Sequence, residues 1–438
     1  MYHSTLACKA IIYTDTDKRT GNVIGDQPNH VHASEVSDIQ AKVVMNKIKK
    51  RAISNDDNPA SVIASAISNV SSPVVARLPK MVSMARDIQR ARNAVMPLFP
   101  EVNSRKDLVI PDAYTVTKKD DKFLFYDSGG GKSRFLIFAT NKNLQTLAEY
   151  PNWAGDGTFS SVPKIFKQLY TIHALVNGKL LPLIYMLLPN KTEQMYTDAL
   201  TVIKNRVPGL QPRRIMIDFE SAFMTAFTSC FSDANMSGCF FHFTQSLWRN
   251  VQSLGLQKLY NNNVRFALNI KMLMALAFVP VQDVCDAFQE LIQSTYFDDY
   301  EVELEPFVNY FEKTWVGVLS RSGKRRLKPY FPIKLWNCYD AVINEEMRSN
   351  NGIEGWHSSF NAKVRVSHAS MGRFINVIKD EQTITELFIT QLNTGMNVMP
   401  KRRKMYANFD SRLTKIVNQY DKKKKLQYLH DVGTLLSL

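Results

Sequence analysis

Three carboxylates carry the chemistry this chain can do: Asp156 in Gly155-Asp156-Gly157-Thr158-Phe159, Asp218 directly after Ile215-Met216-Ile217, and Glu354 in Asn350-Asn351-Gly352-Ile353-Glu354-Gly355-Trp356-His357. Each sits at the edge of a core-forming segment, where an ionised group is costly unless it is paired or binds a cation. Two aspartates on neighbouring strands and a glutamate on a later helix make a set of hard oxygen donors able to hold two Mg²⁺ or Mn²⁺ ions for phosphodiester chemistry. On a chain of formal net charge +15, that set points to an enzyme that cuts and joins DNA. Each acid also has a plainer reading. Asp156-Gly157 can be a turn, Asp218 or Glu220 can cap a helix, and Glu354 can lie on a solvated face, with Glu345, Glu346 and Glu381 as competitors.

The elements that must position these acids are visible as periodicity. Phe123 to Tyr126 and Phe135 to Phe138 read as strands around the glycine turn Gly129-Gly130-Gly131. Asp156 to Phe159, Gln168 to Val176 and Leu180 to Leu188 follow as three more, the last two joined by the hairpin signal Asn177-Gly178. A helix over 192–206, a buried strand over 213–219, a helix over 222–231 and a strand over 238–243 complete the run. A hairpin-connected sheet that continues through strand–helix–strand crossovers is the mixed sheet of a ribonuclease-H-like α/β fold, with Asp156 and Asp218 on adjacent strands. For the third acid, Asn350 or Asn351 starts a helix, Ile353, Trp356, Phe360 and Val364 form an apolar stripe, and Glu354, His357, Ser358 and Asn361 align beside it.

The six expected segments are 1–34, polar and rich in turn-formers; 35–107, helical; 108–243, the first part of the core; 244–343, a helical insertion; 344–390, the helices carrying the third acid; and 391–438, a basic helical tail. In the second segment, Val43, Val44, Ile48 and Ile53 are spaced for one amphipathic helix. Five widely scattered cysteines, Cys8, Cys230, Cys239, Cys285 and Cys338, do not form a disulfide framework and fit a reducing compartment. The start at Met1 lacks a signal-peptide pattern, and the most apolar run, Leu180 to Pro189, is too short to span a bilayer. No membrane association is expected. Cys239 and His242 have a spacing that suits zinc, but no second pair accompanies them. A buried cysteine beside a hydrogen-bonded histidine, or a supporting role beside the acids, are the other readings. Lys401-Arg402-Arg403-Lys404 and Lys324-Arg325-Arg326 can contact DNA phosphates, serve as nuclear import signals, or stay solvated.

These residues together resemble the Mutator-like element (MULE) transposases. The resemblance is carried by Asp156-Gly157-Thr158-Phe159, Gln168-Leu169-Tyr170-Thr171-Ile172-His173, Leu187-Leu188-Pro189-Asn190-Lys191-Thr192, Asp218-Phe219-Glu220, Gly238-Cys239-Phe240-Phe241-His242-Phe243, Ala275 to Pro280 and Arg348 to His357, in the family's order. It implies a DDE catalytic core with Asp156, Asp218 and Glu354 as the acids, a helical insertion before the last of them, and supporting positions at Cys239, His242 and His357. The implied reaction is divalent-metal-dependent cleavage at transposon ends followed by strand transfer into target DNA. Double-stranded DNA, terminal repeats and target alike, would be the partner of a nuclear homo-oligomer. A catalytically silent, domesticated DNA-binding descendant is the main alternative, and a host ribonuclease or repair nuclease the third. The amino terminus resembles the back half of a FLYWCH-type zinc finger, with Cys8, His30 and His32 as three of its four zinc ligands and the first half of the finger absent.

Overall fold

The computed structural model describes residues 36–54, 57–95, 99–100, 102–323, 325–396 and 404–436, together with two short strands, β1 (Tyr13–Thr14) and β2 (Val23–Ile24). The chain divides into two compact units, Met1–Leu98 and Phe99–Leu438. Cys8, His30, His32, Lys324, Lys401, Arg402 and Arg403 lie outside the described residues. Among the described residues no helix is long and apolar enough to cross a membrane.

In the first unit, the helices Val36–Ser54, Pro59–Ile67 and Met81–Val95 close around a small core. The buried stripe of the first helix is Ala41, Val44, Ile48 and Ala52, spaced three and four apart as one helical face requires. Val43 and Ile53, expected on that stripe, are instead exposed. They flank the true face by one position, which the alanines at its two ends conceal in the sequence. Asn58 caps the second helix by accepting from Ala60 N at 3.0 Å, and Arg92 donates to Ala52 O (2.9 Å) and Asp57 O (2.7 Å).

The second unit is built on a seven-stranded mixed sheet of order β3-β4-β7-β6-β5-β8-β9. The strands are β3 (Leu124–Asp127), β4 (Leu136–Phe138), β5 (Asn152–Thr158), β6 (Gln168–Val176), β7 (Lys179–Leu188), β8 (Arg214–Ile217) and β9 (Asn235–Gly238). β3, β4, β7, β6 and β5 pair antiparallel in turn, whereas β8 and β9 add in parallel through the crossover helices Glu193–Arg206 and Ser221–Cys230. The hairpin β6–β7 turns on Asn177 and Gly178, both with positive φ (46° and 85°), as a two-residue turn matched to strand twist requires. Those crossover helices bury one face of the sheet, with Tyr170, Tyr196 and Phe223 packed ring against ring. The other face is covered by the helices Asn351–Val364 and Met371–Asn393.

Two expectations change here. Residues 238–243 are not a strand: β9 ends at Gly238 and a helix runs Phe240–Ser253 from Cys239 as its cap position. Phe243, Leu247 and Val251, all fully buried at a four-residue spacing, are the helical signal. The short run of aromatics at its start imitates a buried strand. A helix at Asn141–Glu149, capped by the Thr140 side chain, also follows β4; its few apolar residues, Leu144 and Leu147 chief among them, leave little periodicity to read. Beyond Thr244 helices dominate, as expected, and their aromatic core around Phe243, Trp315 and Trp336 also takes in Leu413, Val417, Leu429 and Val432 from the carboxyl-terminal helices.

The β3–β4 turn is locked by Arg134, 8 % exposed, whose guanidinium forks onto both Asp127 carboxylate oxygens (2.8 and 2.6 Å) and also donates to Leu108 O at 2.6 Å. Arg134→Ala strands that carboxylate and carbonyl, and is expected to cost about 2–3 kcal/mol in urea unfolding. A lysine cannot reproduce the fork, so Arg134→Lys should recover less than half of the loss.

Candidate active site

The register of two parallel strands brings the first two acids together. β5 and β8 pair Asn152 with Arg214, Trp153 with Ile215 and Ala154 with Met216. Continued two residues past its last recorded pair, that register leads Asp218, just past the carboxyl end of β8, toward Asp156, and the Asp156 charge is felt at the Asp218 carboxyl. Asp156 lies within β5, paired across to Thr171 of β6, so the turn reading of Asp156-Gly157 does not apply. The flanking glycines have a packing cause. A Cβ at Gly155 would meet the Tyr170 hydroxyl at 2.9 Å, and one at Gly157 would meet Gln168 Oε1 at 2.9 Å. Side chains alternate along the strand, so the small residues pack against the tyrosine face and Asp156 points to the other.

That other face is covered by the helix Asn351–Val364. Its polar stripe is turned toward the sheet: His357 is buried, and Asn361 accepts from Ser161 (2.6 Å) and donates to Thr158 (3.3 Å). Glu354, in the first turn, is near enough to Asp156 to feel its charge. Ile353 packs with Ala154, Met216 and Cys239 in a small apolar cluster beneath it. Two of the competing acids are committed elsewhere. Glu346 pairs with Arg214, and Glu381 takes the Trp356 indole at 2.8 Å and pairs with Lys363.

The immediate partners of each acid are defined. Asp156 Oδ1 accepts from Gly157 N (2.8 Å), and its Oδ2 lies 3.5 Å from His357 Nδ1. The far nitrogen of that ring meets the Thr171 hydroxyl at 3.5 Å, which meets His173 Nε2 at 2.9 Å. Burial holds the His173 imidazole well below its usual range, so it is neutral. Asp218 Oδ1 accepts from Glu220 N at 3.3 Å. Glu220 occupies the cap position of the next helix without capping it; its oxygens accept from Tyr196 (2.9 Å) and Lys191 (3.3 Å). Lys191 in turn lies 3.9 Å over the Phe159 ring. Glu354 Oε1 lies 3.4 Å from His242 Nε2. Burial pulls His242 below its ordinary range, so near pH 7 this contact is with a neutral ring and is not an ion pair.

The electrostatics link the acids in two pairs that share Asp156. Burial and then the Asp156 charge push the Asp218 carboxyl up to about 7. Burial and then Asp156 also push Glu354 up to about 7. Mutually repelling acids with so little cationic relief are matched in charge and in donor type to divalent cations. The set stands open, however: among the described residues no three His, Cys, Asp or Glu side chains converge as a ready metal cage. The donor chemistry fits Mg²⁺ or Mn²⁺, with Asp156, Asp218 and Glu354 as the residues that would hold it.

Other expected positions divide clearly. Cys239 is fully buried, its thiol pushed up to about 11 by burial, and its sulfur faces Asn350, while His242 faces Glu354. Arg325 and Lys404 are exposed. Arg326 is internal, bonded to Glu312 (2.5 Å), Gly317 O (2.6 Å) and Gln289 (2.9 Å), which leaves it little to offer a phosphate. Thr171, His173, Lys191 and Glu220 line the site without having been picked out individually. The signal for Glu220 was its place two residues after Asp218, and for His173 its polarity inside an otherwise apolar strand.

Residues 152–246 match the model of the MULE transposase domain. The match opens at the first residue of β5 and includes Asp156, Asp218, Cys239 and His242. Glu354 lies beyond it. No curated protein matches the chain.

Proposed function

We propose that this chain is a DDE-type DNA transposase of the Mutator-like kind, cleaving and transferring DNA strands at transposon ends. The observation that carries this reading is the β5–β8 register, which sets Asp156 beside Asp218 inside the matched segment while the Asn351–Val364 helix brings Glu354 over the same face. The strand order supports a ribonuclease-H-like core, with β7, β6 and β5 as the antiparallel meander and β8 and β9 as its parallel continuation. Two bound Mg²⁺ or Mn²⁺ ions at the three acids would supply activation of the attacking water or 3′-hydroxyl and stabilisation of the leaving oxygen.

The chain's own groups do the rest. Gly157 N and His357 fix the Asp156 carboxylate, and Glu220 N fixes Asp218. His242 lies against Glu354. Double-stranded DNA is the partner in this reading, drawn by the basic balance of the chain. Work on two ends calls for a homo-oligomer, and a DNA substrate for a nuclear location. Zinc held by Cys8, His30 and His32, as in a FLYWCH-type finger, belongs to the same proposal.

A second reading, DNA binding without cleavage, draws on the open arrangement of the acids. Incubating the purified chain with Mn²⁺ and DNA carrying the inverted repeats that flank its reading frame separates the two. Nicking by the wild type that falls by about 10³-fold in Glu354→Gln supports the transposase. Metal-independent binding with no nicking under any condition supports the second reading.

A further inference from the structure

From the contacts between two helix starts, we propose that Cys239 and His242 are positioning residues for Glu354, tying the start of its helix to the end of β9, and not half of a zinc site. The inference rests on the reading of Glu354 as the third metal-holding acid.

An asparagine at the start of a helix normally spends its side-chain oxygen on a free N–H of the first turn. Asn350, the cap residue of the Asn351–Val364 helix, makes no such bond. Its Oδ1 instead accepts from the Cys239 thiol at 2.9 Å, and its backbone N donates back to the same sulfur at 3.3 Å. Both residues are fully buried, and the Asn350 side-chain nitrogen has no hydrogen-bond partner among the described residues. The helix thus forgoes a side-chain cap. What it gains is a fixed starting point, cap residue to cap residue, since Cys239 occupies the same position on the helix Phe240–Ser253.

The link is repeated one turn along. Phe240 N donates to Arg348 O at 2.9 Å, and His242, three residues after Cys239, meets Glu354, four residues after Asn350. Each half of the Cys-x-x-His spacing therefore addresses one point of the partner helix: sulfur for its start, imidazole for its acid. The need for such a tether is visible around it. Cavities of about 960 and 940 Å³ are both lined by Glu346 to Ser349, Asn351 and Gly352, so part of this segment faces open space and not packed side chains. Arg214 to Glu346 and Arg348 to Asp410 brace it from partly buried positions, and the Cys239–Asn350 pair is its fully buried fixture.

The test compares wild type, Cys239→Ala, Cys239→Ser and Glu354→Gln in the full chain by hydrogen exchange and by Mn²⁺ binding. In Cys239→Ala the amides of Ile353 and Glu354, which bond to Asn350 O at 2.7 and 3.3 Å, should exchange about tenfold faster. The serine variant, which keeps a donor, should restore most of the protection, and Mn²⁺ affinity should fall about tenfold in the alanine variant only. Unchanged exchange in Cys239→Ala, or stoichiometric zinc in the wild type that this variant loses, overturns the proposal. If exchange responds as expected but Glu354→Gln binds Mn²⁺ as wild type does, the positioning stands and the metal role of Glu354 fails.

Discussion

Asp218→Asn is expected to reduce strand cleavage by about 10³-fold or more and, in the same protein, to raise the stability of the metal-free fold at pH 8. The two effects have one cause. Asp218 is buried against Asp156, with its carboxyl pushed up to about 7, so its charge opposes folding until a cation compensates it. The amide matches the carboxylate in shape and keeps an oxygen for the Glu220 N–H, but carries no charge and is a poor ligand for a hard cation. A variant that lost activity through misfolding would lose stability as well, so a gain in stability excludes that explanation. Cleavage within tenfold of wild type, or a variant less stable at pH 8, contradicts this role for Asp218.

The second large effect is a dependence of stability on pH that a divalent cation cancels. A carboxyl whose folded-state pKa lies above its unfolded value keeps, when folded, a proton the unfolded chain has released. Its contribution is fully present below the unfolded pKa and is lost as pH rises through the folded one. For Asp218 the window runs from 3.8 to about 7, and for Glu354 from 4.5 to about 7. Between pH 5 and pH 8 the metal-free wild type should therefore lose on the order of 2–3 kcal/mol relative to Asp218→Asn, from the Asp218 shift after allowance for relaxation of the site. Millimolar Mg²⁺ should recover most of this at pH 8 and little at pH 5, because a cation must displace the protons to bind. Urea titrations of both proteins at the two pH values, with and without Mg²⁺, measure it. Parallel pH profiles for wild type and variant would show that the acid is not strained.

Much of the sheet was legible because its strands announce themselves locally. β6 and β7 are apolar runs joined by Asn177-Gly178, and the buried stretch Ile215-Met216-Ile217 ends directly on Asp218. The convergence of Asp156 with Asp218 was legible only through the strand order, because proximity across parallel strands leaves no mark in either segment alone. The helix of Glu354 was legible from its apolar stripe, but not which way its polar stripe faced. His357 and Asn361 read equally well as solvated, and only the contacts with Asp156, Thr158 and Ser161 decide between the two. Cys239 and His242 were misplaced for a definable reason. On a strand they would point to opposite sides; at the start of a helix they lie one turn apart on one side. The short aromatic run that starts at Phe240 hid that boundary, and with it the tether to Asn350.

Saturable Mn²⁺ binding at pH 8, followed by electron paramagnetic resonance on the wild type and on a variant with Asp156→Asn, Asp218→Asn and Glu354→Gln together, reaches the central assignment without needing a cognate DNA end. The expected result is binding by the wild type that disappears in the triple variant while the fold is retained. Equal binding by both proteins, or none by the wild type, would contradict a shared metal site at these three acids.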